Sequence, residues 1–161
     1  MMKRTSVLMV AVAVVAISAA GVALADNITG TQGDDVLTGT PFDDHIVGKK
    51  GNDTINALAG NDDVAGGKGN DVVNGDEGND TLSGKKGADQ INGGTGNDSI
   101  NARDGKHGGP DTVTCGEDGE PEYSTDADTV RADKNDIVAA DCESVDVTPH
   151  GSNGHGNGQN K

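Results

Sequence analysis

Eight aspartates stand nine residues apart in this chain: Asp35, Asp44, Asp53, Asp62, Asp71, Asp80, Asp89 and Asp98. Carboxylates in an unbroken row are oxygen donors suited to a hard cation. They are not the convergent nucleophile, base and stabilising group that an active site requires. The acid pairs Asp34–Asp35 and Asp43–Asp44 invite an acid–base reading, but they fall in the same register. One Asp per turn cannot fill the oxygen shell of such a cation. Backbone carbonyls must supply the rest, so the chain around each Asp has to curl tightly.

The surrounding residues provide that curl. From Gly30 to Asn101 the chain reads GTQGDDVLT, GTPFDDHIV, GKKGNDTIN, ALAGNDDVA, GGKGNDVVN, GDEGNDTLS, GKKGADQIN, GGTGNDSIN. Gly at positions one and four supplies left-handed or otherwise unusual backbone dihedrals. The Asp at position six closes the turn. The last three residues, such as Thr54-Ile55-Asn56, form a short strand with one inward side chain. That side chain is a branched aliphatic in every repeat: Leu37, Ile46, Ile55, Val64, Val73, Leu82, Ile91 and Ile100. Two nonapeptides make one coil, and turns eighteen residues apart stack. Two repeats depart from the pattern. The second carries Pro41-Phe42 in its turn, and the fourth begins Ala57-Leu58-Ala59.

The repeat has the form G-G-x-G-x-D-x-U-x and resembles the RTX, or hemolysin-type, calcium-binding nonapeptide. The resemblance covers about half the chain. It implies an all-β fold, a parallel β-roll (a right-handed β-helix), with Ca2+ as the cofactor. It also implies the ligands. Each ion lies between two stacked turns and takes a carboxylate from each, as from Asp53 with Asp71 or Asp62 with Asp80. One turn adds the carbonyls of positions two and four, the next those of positions one and three. The carbonyls so implied are those of Gly48, Lys50, Gly66, Gly67, Lys68, Gly69, Gly75, Asp76, Glu77, Gly78, Gly84, Lys86, Gly93 and Thr95. Backbone ligation explains why positions two and three vary freely, with their side chains in solvent.

The metal is expected to drive folding. The repeats hold 13 acidic residues against five lysines, a net charge of −8, around a thin core. Self-repulsion opposes compaction until a divalent cation arrives.

Residues 1–25 read as a secretory signal peptide. Lys3 and Arg4 are the basic start, Val7 to Val22 is apolar or small, and Ala23-Leu24-Ala25 is a cleavage site. Its removal takes the formal charge from −15 to −17. That acidity, with Phe42 and Tyr123 as the two aromatics, argues against nucleic acid or anionic lipid as partners. No other segment is long and apolar enough to enter a membrane.

Residues 26–101 are expected to form the β-roll and 102–148 an irregular cap. The cap keeps the acid-x-aliphatic core at Asp111-Thr112-Val113, Asp128-Thr129-Val130, Asp136-Ile137-Val138 and Glu143-Ser144-Val145. Its pattern, ARDG…DTVTCG then ADTVRAD…DIVAADCESV, resembles the end region of small secreted calcium-binding proteins from actinobacteria. Cys115 and Cys142 are expected to pair, as two cysteines in an exported chain most simply do. Residues 149–161, Gly- and Asn-rich, read as a disordered tail in which His150 and His155 are ordinary polar residues. His45 and His107 show no partner in the sequence.

The functional expectation is a secreted, non-enzymatic calcium-binding protein. The alternative is a calcium-dependent adhesion or surface-binding module of the cell envelope or matrix, with a polysaccharide or protein partner.

Overall fold

In the computed structural model, residues 11–12, 25–104, 108–116 and 127–148 are described. The described elements are all strands. In chain order they are β1 (Ala11–Val12), β2 (Asn27–Thr29), β3 (Asp35–Thr38), β4 (His45–Lys50), β5 (Thr54–Asn56), β6 (Asp63–Lys68), β7 (Val72–Glu77), β8 (Thr81–Lys86), β9 (Gln90–Thr95), β10 (Ser99–Asn101), β11 (Thr112–Thr114), β12 (Thr129–Asp133), β13 (Ile137–Val138) and β14 (Ser144–Thr148). Odd strands form one seven-stranded sheet and even strands the other. Every pairing is parallel, and from β2 to β10 the partners are eighteen residues apart, as in Ile46 with Val64 and Ile55 with Val73. This is the parallel β-roll the repeat predicts, with two nonapeptides per coil.

The core is two facing rows. Leu37, Ile55, Val73, Ile91 and Val113 come from one sheet, and Ile28, Ile46, Val64, Leu82, Ile100 and Val130 from the other, all buried. Ala57, Ala102, Cys115 and Ala132 fill the small inward sites two residues after their aliphatics. The periodic stretch starts earlier than Gly30. Asp26-Asn27-Ile28-Thr29 is a half repeat whose Ile28 is buried and whose strand pairs with β4. At the other end the D-x-aliphatic motifs prolong both sheets with altered offsets. Thr112 pairs with Gln90, Thr129 with Ser99, Ile137 with Thr112 and Ser144 with Thr129. The disulfide Cys115–Cys142 pins this end.

Two local features differ from the sequence reading. Several strands are six residues long, because they run through the aliphatic into positions one to three of the next turn. The left-handed positions are two and four, not one and four. Position four holds Gly51, Gly60, Gly69, Gly78, Gly87 and Gly96, all at positive φ. Position two is Gly67 or Gly94 in two repeats, but Lys49, Leu58, Asp76 and Lys85 occupy it elsewhere at φ of 71° to 84°. A left-handed L-residue costs roughly 1–2 kcal/mol, part of which glycine returns to the unfolded chain as entropy. Leu58→Gly should therefore stabilise the calcium-loaded protein by roughly 0.5–1 kcal/mol. A urea midpoint that falls instead would show that Leu58 packs usefully where it stands.

Hydrogen bonds between coils follow the fifth position as well. Asn70 N–H donates to Asn52 Oδ1 at 2.8 Å, Asn79 N–H to Asn61 Oδ1 at 3.0 Å and Asn97 N–H to Asn79 Oδ1 at 2.8 Å. The two turn edges are thus lined by asparagine ladders that end on Asp34 and Asp43.

Candidate metal centre

The eight periodic aspartates are all buried at the inner edge of the turns. From Asp53 onward each is held by the coil before it. Asp35 N–H donates to Asp53 Oδ1 at 2.9 Å, Asp44 to Asp62 at 2.6 Å, Asp53 to Asp71 at 2.9 Å, Asp62 to Asp80, Asp71 to Asp89 and Asp80 to Asp98 at 2.8 Å. The stacking that sequence spacing predicts is therefore present, and the pairs Asp53–Asp71 and Asp62–Asp80 are adjacent links in it.

One carboxylate oxygen is used in this ladder and the other is not. Oδ2 of Asp53, Asp62, Asp71, Asp80 and Asp89 is buried without a hydrogen-bond partner. A buried, unsatisfied carboxylate oxygen costs free energy, so five in a row point to an absent cationic partner. The place each Oδ2 faces is the space left by the missing side chain of the position-one glycine. A Cβ on Gly66 would lie 2.5 Å from Asp71 Oδ2 and 2.9 Å from the Gly84 carbonyl oxygen. Gly48 likewise separates Asp53 Oδ2 from the Gly66 carbonyl, and Gly75 separates Asp80 Oδ2 from that of Gly93. At Gly48, Gly66 and Gly75 glycine serves this close approach and not an unusual φ.

The other implied carbonyls are placed less uniformly. Those of Lys68, Glu77, Lys86 and Thr95 accept the N–H of Gly51, Gly60, Gly69 and Gly78, at 2.8 to 2.9 Å. Each keeps a second lone pair. The carbonyls of Gly69, Asp76 and Gly78 stand directly against the backbone of Gly87, Gly94 and Gly96 in the next coil. No three acidic, His or Cys side chains form a metal-holding group among the described residues. An ion here needs backbone oxygens beside two carboxylates, and hard oxygen donors of that kind fit Ca2+.

Asp35 and Asp44 differ from Asp53, Asp62, Asp71, Asp80 and Asp89. The Oδ2 of each accepts the N–H of the position-two threonine, Thr31 or Thr40, at 2.5 Å. These threonines are not in the left-handed region that position two occupies further along. The ladder also includes residues outside the regular repeats. Asp26 N–H donates to Asp44 Oδ1 at 2.7 Å, Asp89 to Asp111 Oδ1 at 2.8 Å, Asp98 to Asp128 Oδ1 at 2.7 Å and Asp111 to Asp136 Oδ1 at 3.0 Å. Asp111 Oδ2 is another buried oxygen without a partner. The D-x-aliphatic motif was the available signal for all four. His45, solitary in the sequence, meets Asp63 of the next coil at 3.0 Å. His107, Tyr123, His150 and His155 lie outside the described residues.

Burial raises the pKa of Asp53, Asp80 and Asp89, and lifts Asp62 and Asp71 to about 6 and Asp111 to about 7. The N–H donor from the neighbouring coil opposes the shift; for Asp62, Asp71 and Asp111, stacked carboxylates add to it. In the metal-free fold these groups hold protons that the unfolded chain has released above about pH 4. Stability from this source is fully present below pH 4 and is lost as pH rises through 6 to 7. The chelated protein should thus show more β-structure by circular dichroism near pH 4.5 than at pH 8, and weaker calcium binding as pH falls through 6. A chelated spectrum that gains β-structure with rising pH would contradict this linkage.

The comparisons agree with the geometry. The family described as RTX calcium-binding nonapeptide repeat (4 copies) matches residues 21–41, 38–73 and 74–106, just over half of the 161 residues. The first match takes in the half repeat at Asp26. No curated protein and no solved structure matches the chain. Among the described residues no helix is long and apolar enough to cross a membrane. Parallel coils, an eighteen-residue aspartate ladder and the matched repeats lead to one conclusion: the chain belongs to the family of RTX calcium-binding nonapeptide repeat proteins, whose repeats bind Ca2+.

Proposed function

We propose that this chain is an exported, non-catalytic calcium-binding β-roll. Residues 1–25 are removed, 26–101 carry the ions, 102–148 close the roll and 149–161 form a tail. Ions lie between stacked turns, held by the Asp53–Asp71, Asp62–Asp80, Asp71–Asp89 and Asp80–Asp98 carboxylates. The position-one carbonyls of Gly66, Gly75, Gly84 and Gly93 and the position-three carbonyls of Lys68, Glu77, Lys86 and Thr95 come from one turn of each pair, and position-two and position-four carbonyls, such as those of Gly67, Gly69, Asp76 and Gly78, come from the other. The observation that carries this reading is the row of buried Oδ2 atoms from Asp53 to Asp89 that lack a hydrogen-bond partner. Calcium supplies a doubly charged centre that satisfies these oxygens. The protein's part is to hold the carboxylates and carbonyls at the inner turn edge and to keep water off one side.

Export supports the chemistry. An acidic chain that folds around calcium gains from a medium where that ion is abundant. Removal of the leader also removes β1, which pairs with Asp35 and Val36, and so leaves β3 at the sheet edge.

Asp71 belongs to two neighbouring sites. Asp71→Asn keeps the side-chain oxygen that accepts the Asp53 N–H but removes the charge. Calcium counting by equilibrium dialysis should show a loss of two ions per chain, whereas Asp35→Asn should lose at most one. An unchanged count for Asp71→Asn would overturn the assignment of ions to this ladder.

A further inference from the structure

The repeat block holds five lysines, Lys49, Lys50, Lys68, Lys85 and Lys86. All of them fall on one side of the roll. The pairing of β4, β6 and β8 sets Lys50 opposite Lys68 and Lys68 opposite Lys86. Lys49, Gly67 and Lys85 form the adjoining column. The equivalent line on the other sheet reads Ala59, Glu77 and Thr95. All five lysines are exposed. The ion pairs of the described residues are His45–Asp63 and Arg103–Asp146, so none of the five is neutralised by a carboxylate.

This arrangement opposes folding. Like charges stacked in register on strands about 4.8 Å apart repel one another. The chain has acidic residues in excess that could have paired with them. Position three points outward and accepts any side chain, as Glu77 and Thr95 show, so the fold itself does not demand lysine there. A columnar row of free ammonium groups on a chain of net charge −15 is a local field of opposite sign to the rest of the molecule.

We propose that this lysine stripe binds a linear anionic polysaccharide, whose carboxylates or sulfates follow the solenoid axis from Lys50 to Lys86. The width of the stripe selects the partner. A flat bilayer or a nucleic-acid duplex is much wider than this single row and would also meet the rest of a chain whose net charge is −15. Bases find no stacking platform either, since Phe42 and Tyr123 are the two aromatics of the chain. A thin chain touches the lysines alone, and its regularly spaced charges can match groups repeated at each coil. The inference rests on the calcium-loaded roll proposed above, because the lysines align only when the coils stack.

The test is calorimetric titration of the calcium-saturated chain from residue 26 with hyaluronate oligosaccharide and with dextran sulfate, at low salt. Neither the wild type nor the variant Lys50→Gln/Lys68→Gln/Lys86→Gln is read without a far-UV spectrum of the same sample. Wild type should bind at least one of the two sugars, and the better one tells carboxylate from sulfate. Affinity should fall steeply with added NaCl as counterions are no longer released. The triple variant should bind more than about tenfold more weakly. If the triple variant has lost its β spectrum, Lys49→Gln/Lys85→Gln replaces it and should weaken binding too. A folded wild type that ignores both sugars overturns the stripe alone, as does undiminished binding by a folded variant. Tighter binding to phosphatidylglycerol vesicles or to a thymidine oligonucleotide also overturns it. A chain that stays unstructured in calcium overturns the proposed function itself.

Discussion

Chelation of calcium at pH 8 should convert the chain from residue 26 from a β-sheet spectrum to that of a largely unfolded polypeptide, and calcium, but not magnesium, should restore it. The carboxylates decide this outcome. Asp53, Asp62, Asp71, Asp80 and Asp89 are stacked in two columns inside the turn edges, each with one oxygen that meets no donor. At pH 8 Asp62 and Asp71, which titrate at about 6, are ionised. Against this repulsion stands a core one aliphatic wide per strand. The ions convert repulsion into attraction at every level of the stack, so binding free energy becomes folding free energy. Magnesium is a poor substitute because it demands near-ideal octahedral geometry and gives up water reluctantly. The transition should be cooperative, because Asp71 and Asp80 each serve the coil above and the coil below. A β-rich spectrum that survives chelation at pH 8 would mean that the core and the Cys115–Cys142 bond suffice, and that calcium is incidental to the fold.

The second large effect comes from a single methyl group. Gly78→Ala should destabilise the calcium-loaded roll by roughly 3–5 kcal/mol, the sum of overpacking and a left-handed alanine. Gly78 sits at φ 135°, and a Cβ there would collide with the Gly60 carbonyl of the previous coil. That carbonyl is fixed by the stack and cannot yield without parting the turns. Gly33 occupies the same fourth position in the first repeat, yet a Cβ there meets nothing within 4 Å. Gly33→Ala should be close to neutral. Urea midpoints of the two variants in saturating calcium make the comparison. Equal midpoints would show that the turns breathe enough to absorb the methyl group, and that close stacking is not what selects glycine at position four.

These two glycines also mark how far the sequence could be read. Both are the fourth residue of a nonapeptide, and by pattern they are alike. They differ because a Cβ on Gly78 meets the Gly60 carbonyl eighteen residues back, whereas one on Gly33 meets nothing within 4 Å. The same holds for the aspartates. Asp35 and Asp71 occupy one register, but Thr31 closes on Asp35 Oδ2 while Asp71 Oδ2 faces the Gly84 carbonyl across Gly66. The asparagine ladders and the His45–Asp63 pair were hidden for the same reason: each joins residues a full coil apart. The cap was legible in part. Its D-x-aliphatic motifs were visible, but their offsets vary with the insertions between them, so their partners were not.

What the sequence determined by itself is everything that a single nonapeptide encodes. A period of nine with one Asp and one inward aliphatic requires each unit to turn tightly and bury one side chain. The likeness of that unit to the RTX nonapeptide implied calcium and the parallel sheets, and two cysteines in an exported chain implied the Cys115–Cys142 bond. Tertiary structure alone decided which oxygens are left without donors, why glycine suits position one at Gly48, Gly66 and Gly75 although its φ is ordinary there, and that five lysines scattered through three repeats form one stripe. Those properties belong to the distance between coils. Backbone stacking sets that distance, and no local rule of turn or strand contains it.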